Sequence, residues 1–184
     1  MARIEPDKAR AIVSTSAKGL EIIIPSRKNI FLILFLAAWL VGWAVGEFTV
    51  PTTFFKGNKD VGSLIFTTAW LVAWTIGGGF AIYAWLWNVA GKEKVTITNL
   101  NLTIKRDLFG FGKEKEYDIM HISNLRVSAQ PFNPFNFSAS LQFWGIGGGV
   151  LAFDYGSRTY RFGGGVDEAE ANKIVGTIKE RYRL

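Results

Sequence analysis

Two long stretches without charge dominate the pattern of apolar and polar positions. Residues 30–46 carry no charge, and extension past the single Glu47 to Val50 gives about 21 residues, close to the roughly 20 a helix needs to cross a bilayer's hydrocarbon. The second run, residues 61–91, is also uncharged. As a helix it would extend roughly 45 Å, more than the bilayer core, so part of it must tilt or protrude. The intervening residues 51–60, with Lys56-Gly57-Asn58-Lys59-Asp60, have turn chemistry and balanced charge. The pattern predicts a transmembrane hairpin, with a first helix over 29–50, a loop over 51–60 and a second helix over 61–91. A secretory signal would place its apolar run nearer the terminus and end it in a small-residue cleavage site, so the first span is expected to stay in the mature protein.

Outside the hairpin the period changes. Residues 1–18 are polar without sustained periodicity and read as a mobile tail. Residues 19–28 hold a short β-branched strand, closed by Pro25 and followed by the basic pair Arg27 and Lys28. After Gly91 the alternation is two: Val95 and Ile97 against Lys94, Thr96 and Thr98, then Leu100, Leu102 and Ile104 against Asn101, Thr103 and Lys105. Further strands are expected near 113–118, 122–128, 138–144, 150–155 and 158–162, with turns at Gly110-Phe111-Gly112 and Tyr155-Gly156-Ser157. Asp167 and Glu170 can cap a closing helix, whose inner face is Ala171, Ile174, Val175, Ile178 and Tyr182.

Composition adds two limits. The chain has no cysteine and one histidine, so disulfides and thiolate chemistry are excluded and a metal site at His121 is disfavoured. The net charge of +6 splits as +3 before the first span, zero through the hairpin and +3 after it, which suits a membrane surface better than nucleic acid. Arg27 and Lys28 before the first span, with Lys92 and Lys94 after the second, outweigh the loop's Lys56 and Lys59 in position, so both termini are expected on the cytoplasmic side.

Candidate chemistry is sparse. Glu47, at the end of the first span, is expected to reach water or pair with Lys56 or Lys59, a structural role preferred over ion translocation. Gly42 and Gly46, and Ala73, Gly77 and Ala81, repeat small residues at four-residue intervals, which permits close helix packing within the hairpin or between copies. Asp118 and Asp154 lack recognisable catalytic partners, and the glycine clusters at 145–149 and 163–165 lack the lysine and hydroxyl of a phosphate loop. Phe132, Phe135 and Phe137 in Gln130-Pro-Phe-Asn-Pro-Phe-Asn-Phe137 either close the β-domain as a lid, the preferred reading, or form an apolar patch for lipid or a partner.

About seven short strands closed by one amphipathic helix resemble the pleckstrin-homology (PH) superfold. Residues 24–29, 39–47, 153–162 and 167–170, in the order hairpin then β-domain, resemble membrane-anchored bacterial PH-like proteins. The resemblance implies an α+β membrane protein in which a PH-like bent barrel or sandwich occupies residues 92–184 and faces the cytoplasm. The turn at Thr98-Asn-Leu-Asn101 lacks the clustered lysines and arginines of phosphoinositide-binding members, which argues against that specificity. The expected function is a non-enzymatic interaction or scaffold module, or an accessory subunit, in the inner membrane, without cofactor. Its expected partners are the bilayer and either another membrane or cytoplasmic protein or further copies of itself. The alternative is a structural component of an oligomeric transporter or channel.

Overall fold

A computed structural model describes residues 9–16, 19–54, 56, 60–128, 141 and 144–182. The chain divides into two compact units, residues 28–89 and residues 1–27 with 90–184. The second unit is therefore discontinuous, and the helical hairpin is an insertion within it.

The hairpin consists of α1 (Ile30–Phe54) and α2 (Val61–Ala90), both long and apolar enough to cross a membrane. Asn29 starts α1 by accepting the Leu32 N–H at 3.2 Å, and Asp60 starts α2 by accepting the Ser63 N–H at 2.8 Å. The sequence pattern ends the first helix near residue 50, yet α1 runs through Pro51 to Phe54. Thr49, Thr52 and Thr53 donate their hydroxyls to the Val45, Phe48 and Thr49 carbonyls one turn back, so their polar groups stay bonded within the helix on either side of the proline.

Tryptophans hold the two helices together. The Trp43 indole donates to the Trp74 carbonyl at 3.1 Å, and Trp85 donates to the Ile33 carbonyl at 3.1 Å. Trp74 lies between the rings of Trp39 and Trp70, with centroids 5.9 and 4.9 Å away. The tight approach is at Gly78, where a Cβ would fall 1.9 Å from Cε2 of Trp43. Gly77, the glycine singled out by its spacing, has nothing within 4 Å of the same position, and Gly42 is equally open. Ala81 is buried and Ala73 exposed, while Gly46 rests in ordinary contact with the Trp74 ring.

The β-unit has a five-stranded antiparallel sheet in sequential order: β1 (Ile12–Ser16), β2 (Gly19–Pro25), β3 (Lys92–Ile97), β4 (Asn101–Asp107) and β5 (Glu114–Asp118). Residues 12–16 and 19–25, read from the sequence as tail and membrane-proximal strand, are thus its first two strands. β2 belongs here because Leu20, Ile22 and Ile24 alternate inward and are essentially fully buried, while its edge pairs with β3 from Leu20↔Ile97 to Pro25↔Lys92. A second antiparallel sheet, β6 (Ile122–Val127), β7 (Leu151–Tyr155) and β8 (Arg158–Phe162), follows a single 3₁₀ turn at Ile119–His121.

One core joins both sheets to the last helix, α3 (Glu168–Tyr182). Val95, Ile97, Leu102, Leu125, Leu151, Phe153 and Phe162 meet Ala171, Ile174, Val175 and Ile178 of its apolar face. Tyr182, expected on that face, ties the helix end to the first sheet. Its hydroxyl accepts the Leu20 N–H at 3.1 Å and donates to the Ile97 carbonyl at 2.7 Å. Of the strand expected over 138–144, only Leu141 and Trp144 are among the described residues, and Trp144 sits in a turn.

The two glycines of α2 make opposite predictions. Gly78→Ala must displace the Trp43 ring and should destabilise the hairpin by about 1–3 kcal/mol, the usual range for overpacking. Gly77→Ala fills open space and should be neutral, or stabilising by up to roughly 1 kcal/mol through helix propensity. Thermal unfolding in detergent, followed by tryptophan fluorescence, reads both; equal effects would contradict the packing described.

Candidate functional site

The strand register gathers the informative residues at one end of the first sheet. Pro25 lies opposite Lys92, and Lys92 opposite Asp107. The Ser26 N–H continues the ladder to the Gly91 carbonyl at 2.9 Å. The chain leaves for α1 and returns from α2 at this end, through residues 26–29 and Gly91.

A charge sits in the core phase of two strands here. On β3 the inward series is Glu93, Val95, Ile97; on β4 it is Leu102, Ile104, Arg106. Glu93 and Arg106 are register partners, with Arg106 Nε 3.5 Å from Glu93 Oε1. Glu93 is only 5% exposed, and its other oxygen accepts the Gly163 N–H at 2.6 Å and the Gly164 N–H at 3.3 Å. A carboxylate so enclosed is tolerated because a cation and two backbone donors replace its water. The same turn comes so close to β2 that a Cβ on Gly165 would lie 1.9 Å from the Pro25 carbonyl oxygen. Glu93 therefore fastens the β8–α3 turn, and with it the second sheet, to the first.

Beside this lock is a cleft of about 110 Å³ lined by Arg10, Arg27, Gly165, Val166 and Asp167. Asp167 caps α3 by accepting the Glu170 N–H at 2.8 Å, and Glu170 Oε1 accepts the Ala11 N–H at 2.6 Å, tying the start of β1 to the helix. The cleft's lining is mostly charged, with Arg10 and Arg27 beside the capping Asp167.

The basic residues expected at a membrane surface are distributed unequally. Arg27 lines the cleft, and Lys28 is exposed. Lys92 pairs with Asp107 at 3.2 Å, and Asp107 keeps a second, buried oxygen without a hydrogen-bond partner among the described residues. Lys94 lies 2.6 Å from Glu21, whose hydrogen bond and charge hold the ammonium pKa above its ordinary value. Phe132, Phe135 and Phe137 lie outside the described residues. Glu47 takes the Thr75 hydroxyl at 2.7 Å as its partner.

The remaining candidates fall elsewhere in the β-unit. His121 stands 3.3 Å from Asp118, which caps the 3₁₀ turn through the Met120 N–H. Asp154 accepts from both Arg126 nitrogens at 2.9 and 3.2 Å, from Thr159 at 2.6 Å and from Asn124 at 2.9 Å. Asn124 has a φ of 53° at an irregularity between β6 and β7, so this network holds a kink in the strand. The Arg126 guanidinium first, then the Thr159 and Asn124 donors, lower the Asp154 pKa to about 2. Among the described residues no group of three or more His, Asp or Glu converges. Glu93 was missed in the sequence reading, although its signal is there: it shares the odd-numbered, inward phase of Val95 and Ile97.

No family model, no curated protein and no solved structure matches this chain.

Two predictions separate the lock from the surface network. Glu93→Ala should cost about 1–3 kcal/mol, because it leaves the Gly163 and Gly164 amides without their acceptor, and Glu93→Gln should cost less. Denaturation of the detergent-solubilised chain, followed by near-ultraviolet circular dichroism, measures it; a loss below ~1 kcal/mol would deny Glu93 this role. Asp154 has a folded pKa below its ordinary 3.8, so its contribution is present above that value and lost as the pH falls through about 2. Arg126→Met should return the Asp154 titration, followed by carboxyl-carbon NMR, towards the ordinary range.

Proposed function

We propose that this chain is a membrane-anchored, non-enzymatic interaction module. The α1–α2 hairpin crosses the inner membrane, both termini are cytoplasmic, and the β-unit is presented at the cytoplasmic surface as a scaffold or accessory subunit. The observation that carries the reading is the insertion itself. Two apolar helices interrupt the connection between paired strands, so the β-unit is tethered by two short connections at one sheet end. Two connections, where a terminal anchor would have one, join it to the helices.

The PH-like reading of the β-unit draws support from the order of elements. Among the described residues, β2–β5 followed by β6–β8 and a terminal helix is the succession of four strands, three strands and one helix that the PH superfold uses. β1 adds a strand at the edge, and the helical hairpin replaces the first turn. The anchored end carries Arg10 and Arg27, neither of which has an ion-pair partner among the described residues, and cations suit an anionic leaflet. Fold alone does not name the partner.

The natural absence of cysteine makes the topology directly testable. Single cysteines placed by Lys56→Cys in the loop and Ser157→Cys in the β7–β8 turn are treated with a membrane-impermeant maleimide in intact spheroplasts. Labelling is expected at 56 before lysis and at 157 only after it. Labelling at 157 in intact spheroplasts would reverse the orientation, and extraction of the chain by alkaline carbonate would remove the membrane assignment.

A further inference from the structure

The tip of the β4–β5 hairpin exposes two phenylalanines that the fold does not need. Phe109 is 66% and Phe111 82% exposed. Leu108 and Phe111 exchange both backbone hydrogen bonds, at 2.8 and 3.0 Å, which leaves a two-residue turn. Its central residues, Phe109 and Gly110, have φ of 53° and 90°. Positive φ at both positions defines the tight hairpin turn that favours Asn-Gly or Asp-Gly. A bulky side chain is out of place in that conformation. Phe109 gains little packing in return, since most of its ring lies in solvent.

Position and charge indicate what the rings meet. The tip follows Asp107, which the register aligns with Lys92 and, through it, with Pro25. It therefore projects from the sheet end that carries both connections to the apolar helices, roughly two residues or about 7 Å beyond the last paired strands. Lys105, whose register partner is Glu114, reaches over the turn to the Gly110 carbonyl at 3.1 Å, Lys113 follows the turn and accepts the Arg106 N–H on its carbonyl at 3.4 Å, and neither ammonium has an ion-pair partner among the described residues. Two aromatic rings ahead of two lysines match the depth profile of a bilayer surface, with acyl chains beneath phosphates. A protein groove would not require the cations behind the rings.

We propose that residues 108–112 form a lipid-inserting wedge. Phe109 and Phe111 enter the boundary between headgroups and acyl chains of an anionic bilayer, and Lys105 and Lys113 meet the phosphates. The wedge rests on the membrane reading above and adds a second contact between the β-unit and the same leaflet.

The test uses the full chain in vesicles of phosphatidylcholine and phosphatidylglycerol. A nitrobenzoxadiazole dye is placed at Phe111→Cys or, as control, at Leu100→Cys, the exposed turn at the opposite end of the sheet. Lipids doxyl-labelled near the headgroup should quench position 111 at least ~2-fold more than position 100. Equal quenching in vesicle-bound protein would overturn the wedge, whereas failure to float with the vesicles would overturn the membrane reading beneath it. Concentration-dependent self-quenching at 111 without doxyl quenching would assign the tip to a second copy and likewise overturn the proposal. In an otherwise unlabelled chain, Phe109→Asn suits the turn and should unfold at the same temperature as the parent or higher. Combined with the dye at 111, it should reduce the doxyl quenching. A clear fall in unfolding temperature would make Phe109 a structural residue and remove it from the wedge.

Discussion

The pairing of β2 with β3 is the constraint on which the rest of this structure depends. The two strands are neighbours in the sheet but are separated in sequence by the whole helical hairpin. Closing a flexible loop of some sixty residues costs roughly 4 kcal/mol in chain entropy. The hairpin removes most of that cost, because α1 and α2 pack antiparallel and the Trp85–Ile33 hydrogen bond brings the end of α2 back beside the start of α1. Once β2 and β3 meet, Leu20, Ile22 and Ile24 supply an inner face on which the second sheet and α3 can close. Hairpin formation and sheet formation thus support one another through the same pair of connections.

Two ionic groups of the β-unit show why burial matters more than the number of bonds. Asp154 makes more hydrogen bonds than Glu93, but it and Arg126 remain about a quarter to a third exposed, where water competes for each of them. Glu93 is enclosed and links elements 70 residues apart, so its alternatives are poor and its loss leaves several groups unsatisfied at once. A well-packed apolar pair could stabilise the same place equally well. What the ion pair adds is direction: only one placement of the Gly163–Gly164 amides meets the free oxygen of Glu93.

The helices were legible in the sequence because long uncharged runs have few alternative explanations, and α2 ends within one residue of its expected boundary. α1 extends further, through Pro51 to Phe54, a stretch where hydropathy and the proline both point to an end. β1 was illegible for a different reason. All of Ile12–Ser16 is exposed, so no alternation marks it, and only pairing with β2 makes it a strand. Membership of β2 in the sheet was hidden by the distance to β3 along the chain. At the candidate site, charge counting found Arg27 and Lys92, whereas Glu93 and Arg106 needed attention to phase: each continues an apolar series on the buried side of its strand. Spacing also selected Gly77, since periodicity identifies a face but cannot tell which neighbouring residue a tryptophan ring occupies.

The double connection also changes what a weak surface contact can accomplish. A β-unit free in solution would have to meet the whole entropic cost of association before two phenylalanine rings and a few cations could hold it at a bilayer. Here the ladder runs to Ser26 and Gly91, and in the proposed membrane-anchored state the chain itself would set the local concentration of lipid around the β-unit. Contacts too small to recruit a protein would then be sufficient to orient one. The positive φ at Phe109 fits the division of labour that the proposed wedge implies: anchoring would be left to the helices, and the tip would contribute only tilt and depth.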